Sequence, residues 1–294
     1  MKENKLIKHN EIVYDRIVDN YEDMHPEIFN PTEQNRLYRE FKFVRSNIMT
    51  KSRLYKALDF GSGTGNLTNI MLNLGFKVIS ADVSNGCLGE IIKKHCKNKD
   101  LSTFLLNGKD LSGISNSSID VVATYSVLHH IPNYLKLIPE FIRVVKPGGI
   151  IIIEHEVSPN FWISDPNYFK YLLEIGQDKL INHFKLIGIE ISLLDNIKLY
   201  IYKASKIFKF KSWLALFQNL KNKNEEFSDE GDIHVKKSDH IEWDYIEKIL
   251  QNDTEIIKKE DYLVCRETGR DLKIWKRWKN NTNDMRTLIV RKKQ

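Results

Sequence analysis

Residues 58–68 read LDFGSGTGNLT: an apolar run interrupted by an acid, glycines at positions 61, 63 and 65, and then residues able to start a helix. Glycine at such a turn takes backbone torsions that other residues resist and lets a ligand approach the main chain. The helix that follows begins with unpaired N–H groups. A dinucleotide-binding fingerprint needs its third glycine where this chain has Asn66, which argues against a nicotinamide cofactor. Asp82 ends the next apolar run, 17 residues after Gly65. An acid there can accept both hydroxyls of a ribose. The alternative for Asp82 is a helix N-cap, a role Ser84 could also fill.

Working outward, residues 55–60, 77–81, 103–106, 119–124 and 149–154 read as short strands, and residues 66–74, 85–97 and 134–145 as helices. Such alternation with short loops specifies an open parallel α/β sheet covered by helices on both faces. Before it, Ile12, Val13, Ile17 and Tyr21 recur near helical spacing, and Pro31 can open a further helix. After residue 155 the rhythm breaks, with helical periodicity at 168–184 and 197–220. A helix at 243–250 and strands at 255–264 and 286–291 then complete the chain. The expected division is an N-terminal helical segment 1–54 over the site, a core of 55–155 with 239–294, and an insertion 156–238.

The chain has 294 residues, 41% of them hydrophobic and 29% charged, which suits a globular protein rather than a disordered one. Three cysteines, Cys87, Cys96 and Cys265, show no metal-type spacing and suggest a reducing compartment. No secretory signal and no apolar run of about 20 residues is visible, so the expected location is the cytoplasm. The net charge of +6 is unevenly placed. Residues 197–223 hold seven lysines and no acid, and residues 265–294 hold ten basic residues against three acids, leaving the rest of the chain acidic.

In order along the chain, LDFGSGTG, the strand-end Asp82, the pair Asp110–Leu111, IDVVATYSVLHHI (residues 119–131) and VVKPGGIIIIE (residues 144–154) resemble the successive motifs of class I S-adenosylmethionine-dependent methyltransferases. The resemblance implies a Rossmann-like, doubly wound, seven-stranded and mostly parallel sheet with an antiparallel last strand, N-terminal helices and a helical cap insertion. It also implies S-adenosylmethionine as cofactor. Asp59, Gly61, Gly63 and Gly65 would lie along its methionine part, Asp82 and Val83 at the ribose, and Asp110 and Leu111 at the adenine. Tyr125 and Ser126 would line the floor near the sulfonium, and Tyr14 or Tyr21 would close over the carboxylate. The chain departs from the family at residues 112–118, a shortened loop without proline. It also lacks the [DN]-P-P-[FYW] motif suited to nucleobase amino nitrogens.

For a hydroxyl acceptor a histidine base suits the chemistry. His129 and His130 follow the fourth strand at the mouth of the site, with His129 preferred. His155 stands between Glu154 and Glu156 at the end of the fifth strand, where strict alternation would turn it away from both acids. Packing or capping is the plain alternative for His129 and His130, and exposed loop charge for His155; His234 and His240 are outside candidates. No H-x-x-x-H or D-x-D spacing occurs, so no metal is expected.

Phe161, Trp162, Tyr168, Phe169 and Tyr171 would give the insertion apolar walls with polar tips, suited to a sugar or aromatic ring. The first basic segment has the spacing expected of a lysine-rich amphipathic helix, able to touch an anionic membrane or a phosphorylated substrate or simply to cover a core with a solvated face. In the second, Trp275 and Trp278 interleave with basic residues, a pattern that could stack on RNA, although nucleic acid ranks below an anionic small molecule. The expected function is methyl transfer to a hydroxyl of a sugar, nucleotide-sugar or glycan intermediate. The alternatives are an RNA or protein methyltransferase, or a non-catalytic cofactor-binding or membrane-surface protein. The oligomeric state is not legible.

Overall fold

The computed structural model describes residues 2–188, 231–266 and 270–294. The chain opens with α1 (Lys2–Ile17), two short turns α2 (Tyr21–Met24) and α3 (Pro26–Phe29), and α4 (Pro31–Ser46). Pro31 sits in the first turn of α4, where its missing N–H costs nothing, and the Asn30 side chain caps the helix by accepting the Glu33 N–H at 3.0 Å.

The alternating pattern then yields β1 (Lys56–Phe60), α5 (Asn66–Asn73), β2 (Lys77–Asp82), α6 (Asn85–Lys94), β3 (Leu101–Leu105), β4 (Ile119–Tyr125), α7 (Tyr134–Val144) and β5 (Val145–Val157). Next come α8 (Pro166–Ile175), α9 (Gln177–Leu186) and a small hairpin of β6 (Val235–Lys236) and β7 (Asp239–His240). The last elements are α10 (Trp243–Leu250), β8 (Thr254–Tyr262), α11 (Arg270–Trp278) and β9 (Met285–Lys292). Seven strands form one Rossmann-like sheet in the order β3-β2-β1-β4-β5-β9-β8. Strands β1 to β5 pair in parallel, and β9 runs antiparallel to both of its neighbours, β5 and β8. Strand order reverses between β1 and β4, and ligands bind at the carboxyl ends of strands flanking such a switch point.

Alternate side chains of the strands feed two cores. Leu58, Val122, Ile151 and Ile153 pack with Leu137 and Phe141 of α7 and with Ile246 and Leu250 of α10. Ala57, Val121, Ala123 and Ile152 pack with Leu37 and Phe41 of α4 and with Leu67, Ile70 and Met71 of α5. Each large buried side chain contributes about 1.5–3 kcal/mol by leaving water, so both faces fix the register that delivers the loops to the carboxyl edge.

Three expectations change. The helical stretch at 168–184 breaks at Gly176 into α8 and α9. The closing strands are not a simple hairpin, because α11 stands between β8 and β9. The aromatics expected to wall an acceptor are largely core: Tyr168, Tyr171 and Leu172 of α8 pack with Leu263 and Ile274, flanked by Phe161, Trp275 and Trp278. Trp275 Nε1 also donates to the Leu263 carbonyl at 2.7 Å, while Lys273, Lys276, Arg277 and Lys279 face solvent. The tryptophans and the basic residues therefore occupy two faces of one packed helix, and the rings are not presented for stacking on RNA. The first basic segment, residues 197–223, lies outside the described residues. Among the described residues no helix is long and apolar enough to cross a membrane.

Candidate active site

The turn after β1 is built on positive backbone torsions. Gly61 has φ 71°, and a Cβ there would lie 2.5 Å from both methyl carbons of Val127. Gly65 has φ 98°, with its missing Cβ 3.0 Å from Ile91. Gly61 and Ser62 both donate their N–H to the Ala81 carbonyl, closing the turn onto β2. At the end of β2, Asp82 accepts the Gly63 N–H at 2.8 Å through one oxygen and the Ser84 N–H at 2.9 Å through the other. Ser84, not Asp82, caps α6 by accepting the Cys87 N–H at 3.0 Å. Burial nevertheless holds the Asp82 carboxyl above its ordinary pKa.

Asp59 lies beneath the turn. It accepts the Thr68 hydroxyl at 2.6 Å, and Thr68 Oγ1 is also 2.6 Å from Ser80 Oγ. Burial pushes its pKa up to about 7. It borders a small cavity that shares Tyr21, Gly61, Gly63 and Tyr125 with a much larger one.

That larger cavity opens at the carboxyl ends of β1, β2 and β4. Gly61, Gly63, Asp82 and Val83 form one side, and Tyr125, Ser126 and Val127 at the end of β4 form another. Ile7, Asn10, Tyr14 and Tyr21 cover it from the N-terminal helices, and Leu106, Gly108, His130, Ile131 and Pro132 complete the wall. Helix α1 is clamped in place: Asp15 accepts the Ser84 hydroxyl at 2.5 Å and the Gly86 N–H at 2.9 Å. Asn10 donates to the His130 carbonyl at 3.0 Å. Neither Asn10 nor Asp15 carries a local sequence signal for this role.

Asp110 and Leu111 stand apart from the cavity. Asp110 is half-buried and accepts from Asn107 Nδ2 and the Ser112 N–H, bonds that hold its pKa down. The Leu111 N–H is donated to Glu140 of α7 at 3.0 Å, and Arg143 takes the Leu111 carbonyl. With its N–H committed there, Leu111 has none to offer an adenine ring, and Leu106 and Gly108 border the cavity instead.

At the end of β4, Ser126 has φ 57° and His155 of β5 has φ 60°, two strained residues side by side. His155 stacks on Tyr125 with ring centroids 4.6 Å apart, and its Nδ1 is 3.4 Å from Ser126 Oγ. It does not line the cavity, and burial pushes its pKa down to about 4. Pairing of β5 with β9 slips between Ile153 and Glu156, so the expected alternation fails. Glu154 turns to α4, where Arg36 reaches it at 2.8 Å and Thr287 donates at 2.7 Å. Glu156 turns the other way. It accepts the Val127 and Leu128 N–H groups at 2.9 and 2.7 Å and approaches His129 Nδ1 at 2.8 Å. The Tyr125 hydroxyl is committed to Glu33 at 3.1 Å.

His130 reaches the cavity wall, with Nε2 3.0 Å from the Tyr14 hydroxyl, and burial pushes its pKa down to about 3. His129 lies behind it, the two rings 4.2 Å apart. Asp232 completes the group: its Oδ1 is 3.2 Å from His130 Nδ1 and 3.6 Å from His129 Nε2. His234 is tied up between Asp239 and the Ile131 carbonyl, and His240 packs at a tilt against Trp162, so both are structural.

Residues 58–153 match the Methyltransferase domain family. Over these residues the chain carries a methyltransferase domain. A ubiquinone biosynthesis O-methyltransferase of Methylococcus capsulatus is 27% identical over 112 residues, 37% of this chain and 46% of that protein. A demethylmenaquinone methyltransferase of Tropheryma whipplei is 29% identical over 117 residues, 40% and 48% of the two chains. The chain spans about half the length of these curated relatives. A SAM-dependent methyltransferase structure from Methanosarcina mazei aligns over 85% of this chain and 97% of that one at 14% identity, with a TM-score of 0.49.

S-adenosylmethionine is the cofactor of this methyltransferase domain, and the residues present fit it. Asp82 retains acceptor capacity beyond its two backbone bonds, since a carboxylate accepts about four hydrogen bonds. A Cβ at Gly63 would meet nothing within 4 Å, so the turn leaves room for a ligand along the main chain. Apolar Val83, Leu106 and Ile131 stand where a flat heterocycle could rest beyond Asp82.

Proposed function

We propose that this chain transfers a methyl group from S-adenosylmethionine to a hydroxyl of a small organic molecule. The observation that carries the reading is the cavity with Asp82 on one side and His130 across it, under a roof supplied by α1. When bound, the cofactor supplies a methyl carbon on a sulfonium sulfur, and the electron pair of the breaking carbon–sulfur bond returns to sulfur. The chain's own residues position and dehydrate the partners, which accounts for most of the catalysis in such a displacement. Gly61, Gly63 and Asp82 hold the donor, with Asp59 supporting the turn from below. Tyr14 and Tyr21 close the roof, and Tyr125 and Ser126 form the floor beside the methionine end. The cluster of His129, His130 and Asp232 loosens the acceptor's proton, and Glu156 orients His129.

The name of the ubiquinone biosynthesis O-methyltransferase supports an oxygen acceptor, and the names of both relatives support a small-molecule substrate. The sugar, nucleotide-sugar or glycan acceptor loses its support, because the aromatics that suggested it pack as core around α8. A hydroxylated ring compound is the acceptor class we favour.

The test uses the full chain with methyl-labelled S-adenosylmethionine and a fractionated cell extract. Label is expected in a low-molecular-mass product stable to base, as an ether is. Label in the RNA or protein fraction alone, or in no fraction, would overturn the reading.

A further inference from the structure

We propose that His129, His130 and Asp232 bind a divalent transition-metal cation at the wall of the cavity, with the acceptor hydroxyl completing its coordination. Three donor atoms converge there, His129 Nε2, His130 Nδ1 and Asp232 Oδ1, all within 4.8 Å of one another. The spacings of 3.2 and 3.6 Å from the carboxylate oxygen to the two ring nitrogens bracket the roughly 3.3 Å edge of a tetrahedron with metal–ligand bonds of about 2.0 Å.

The surroundings orient these atoms as ligands. Glu156 Oε2 lies 2.8 Å from His129 Nδ1, and an ionised carboxylate only accepts, so Nδ1 carries the proton and Nε2 points its lone pair toward Asp232. That carboxylate is fixed in turn by the Val127 and Leu128 N–H groups. A carboxylate behind a histidine is the outer support that metal-ligating imidazoles use. His130 is held from its far side by the Tyr14 hydroxyl, while its Nδ1 faces Asp232 Oδ1. Asp232 is brought to the pair by the backbone: Ile233 and His234 both donate their N–H groups to the His129 carbonyl at 3.1 Å.

Two imidazoles and one carboxylate suit zinc, cobalt, iron or manganese better than magnesium or calcium. Three protein ligands leave a position open, the pattern of a site that acts on a substrate rather than one that only braces the fold. A cation there lowers the pKa of a coordinating hydroxyl, so its proton passes to water and no histidine has to take it. That use rests on the hydroxyl acceptor proposed above, whereas binding of the cation does not depend on any cofactor.

The full chain, stripped with chelator, is titrated with Co²⁺ and with Zn²⁺ in the absence of S-adenosylmethionine. We expect about one equivalent retained after desalting, with visible Co²⁺ absorption that Zn²⁺ displaces. His129→Ala and Asp232→Asn should each lose the bound metal, and Glu156→Gln should weaken affinity about 10- to 100-fold. Unchanged circular dichroism and melting of the metal-free variants show that they fold. A wild-type chain that retains no metal, or folded ligand variants that retain as much as wild type, would overturn the proposal. Binding of S-adenosylhomocysteine is measured separately, so failure of the metal site and failure of the methyltransferase reading give different results.

Discussion

Asp82 accepts the backbone N–H of Gly63 at 2.8 Å, which fastens the acid at the end of β2 to the glycine turn after β1. Its second oxygen holds the Ser84 N–H, so one side chain fixes two loops of the cavity. Asp82→Ala leaves both donors without this acceptor. A loss of about 1–3 kcal/mol in unfolding free energy is expected, read as a lower urea midpoint at unchanged slope. A midpoint equal to wild type would show that Asp82 is not the fastener.

Gly61 tests the turn itself. Gly61→Ala places a methyl group 2.5 Å from both Val127 methyl carbons at φ 71°. The torsion costs about 1–3 kcal/mol and the crowding a similar amount. Adding Val127→Ala should relieve only the crowding, giving a favourable coupling of about 1 kcal/mol or more in a double-mutant cycle. Strictly additive losses would contradict the close approach.

Asp59 makes stability fall with rising pH. Its folded pKa, raised to about 7 from 3.8, means that the folded state holds a proton the unfolded chain has lost between those values. Wild type should therefore lose stability relative to Asp59→Asn as pH rises from about 4 to 7, by up to roughly 1.4 kcal/mol per pH unit. The measurement is the difference in unfolding free energy across that range, and a flat difference would refute the burial argument.

His155 acts in the opposite direction. Its folded pKa, pushed down to about 4 from 6.5, means that the unfolded state binds the extra proton between those values. Its contribution is intact above pH 6.5 and is lost as pH falls toward 4. His155→Asn, which tolerates the positive φ, should flatten the acid limb of the stability profile. An acid limb as steep as wild type would place the sensitivity elsewhere.

The sheet and the donor side of the site were legible because their signals are local. Short apolar runs bounded by turns gave β1 to β5, and alternate glycines followed by a strand-end acid marked Gly61, Gly63 and Asp82. What was hidden depends on distant or broken geometry. Asp232 meets His129 and His130 only because the Ile233 and His234 N–H groups return to the His129 carbonyl, which no spacing rule could show. The slip at His155 sends Glu154 and Glu156 to different neighbours, against the alternation of a regular strand. Asp110 and Leu111 fit a family motif in letters, yet neither lines the cavity and the Leu111 N–H is committed to Glu140. The α11 helix was masked by its charge, since its apolar side, Ile274 with Trp275 and Trp278, is narrow.

The most direct test of the central claim, that the cavity beside Asp82 holds the methyl donor, is calorimetric titration of the full chain with S-adenosylhomocysteine. Saturable one-site binding to wild type is expected, with a loss of at least about tenfold in Asp82→Ala, the size of removing one charged hydrogen-bond acceptor. No heat with wild type, or equal affinity in the two proteins, would contradict it.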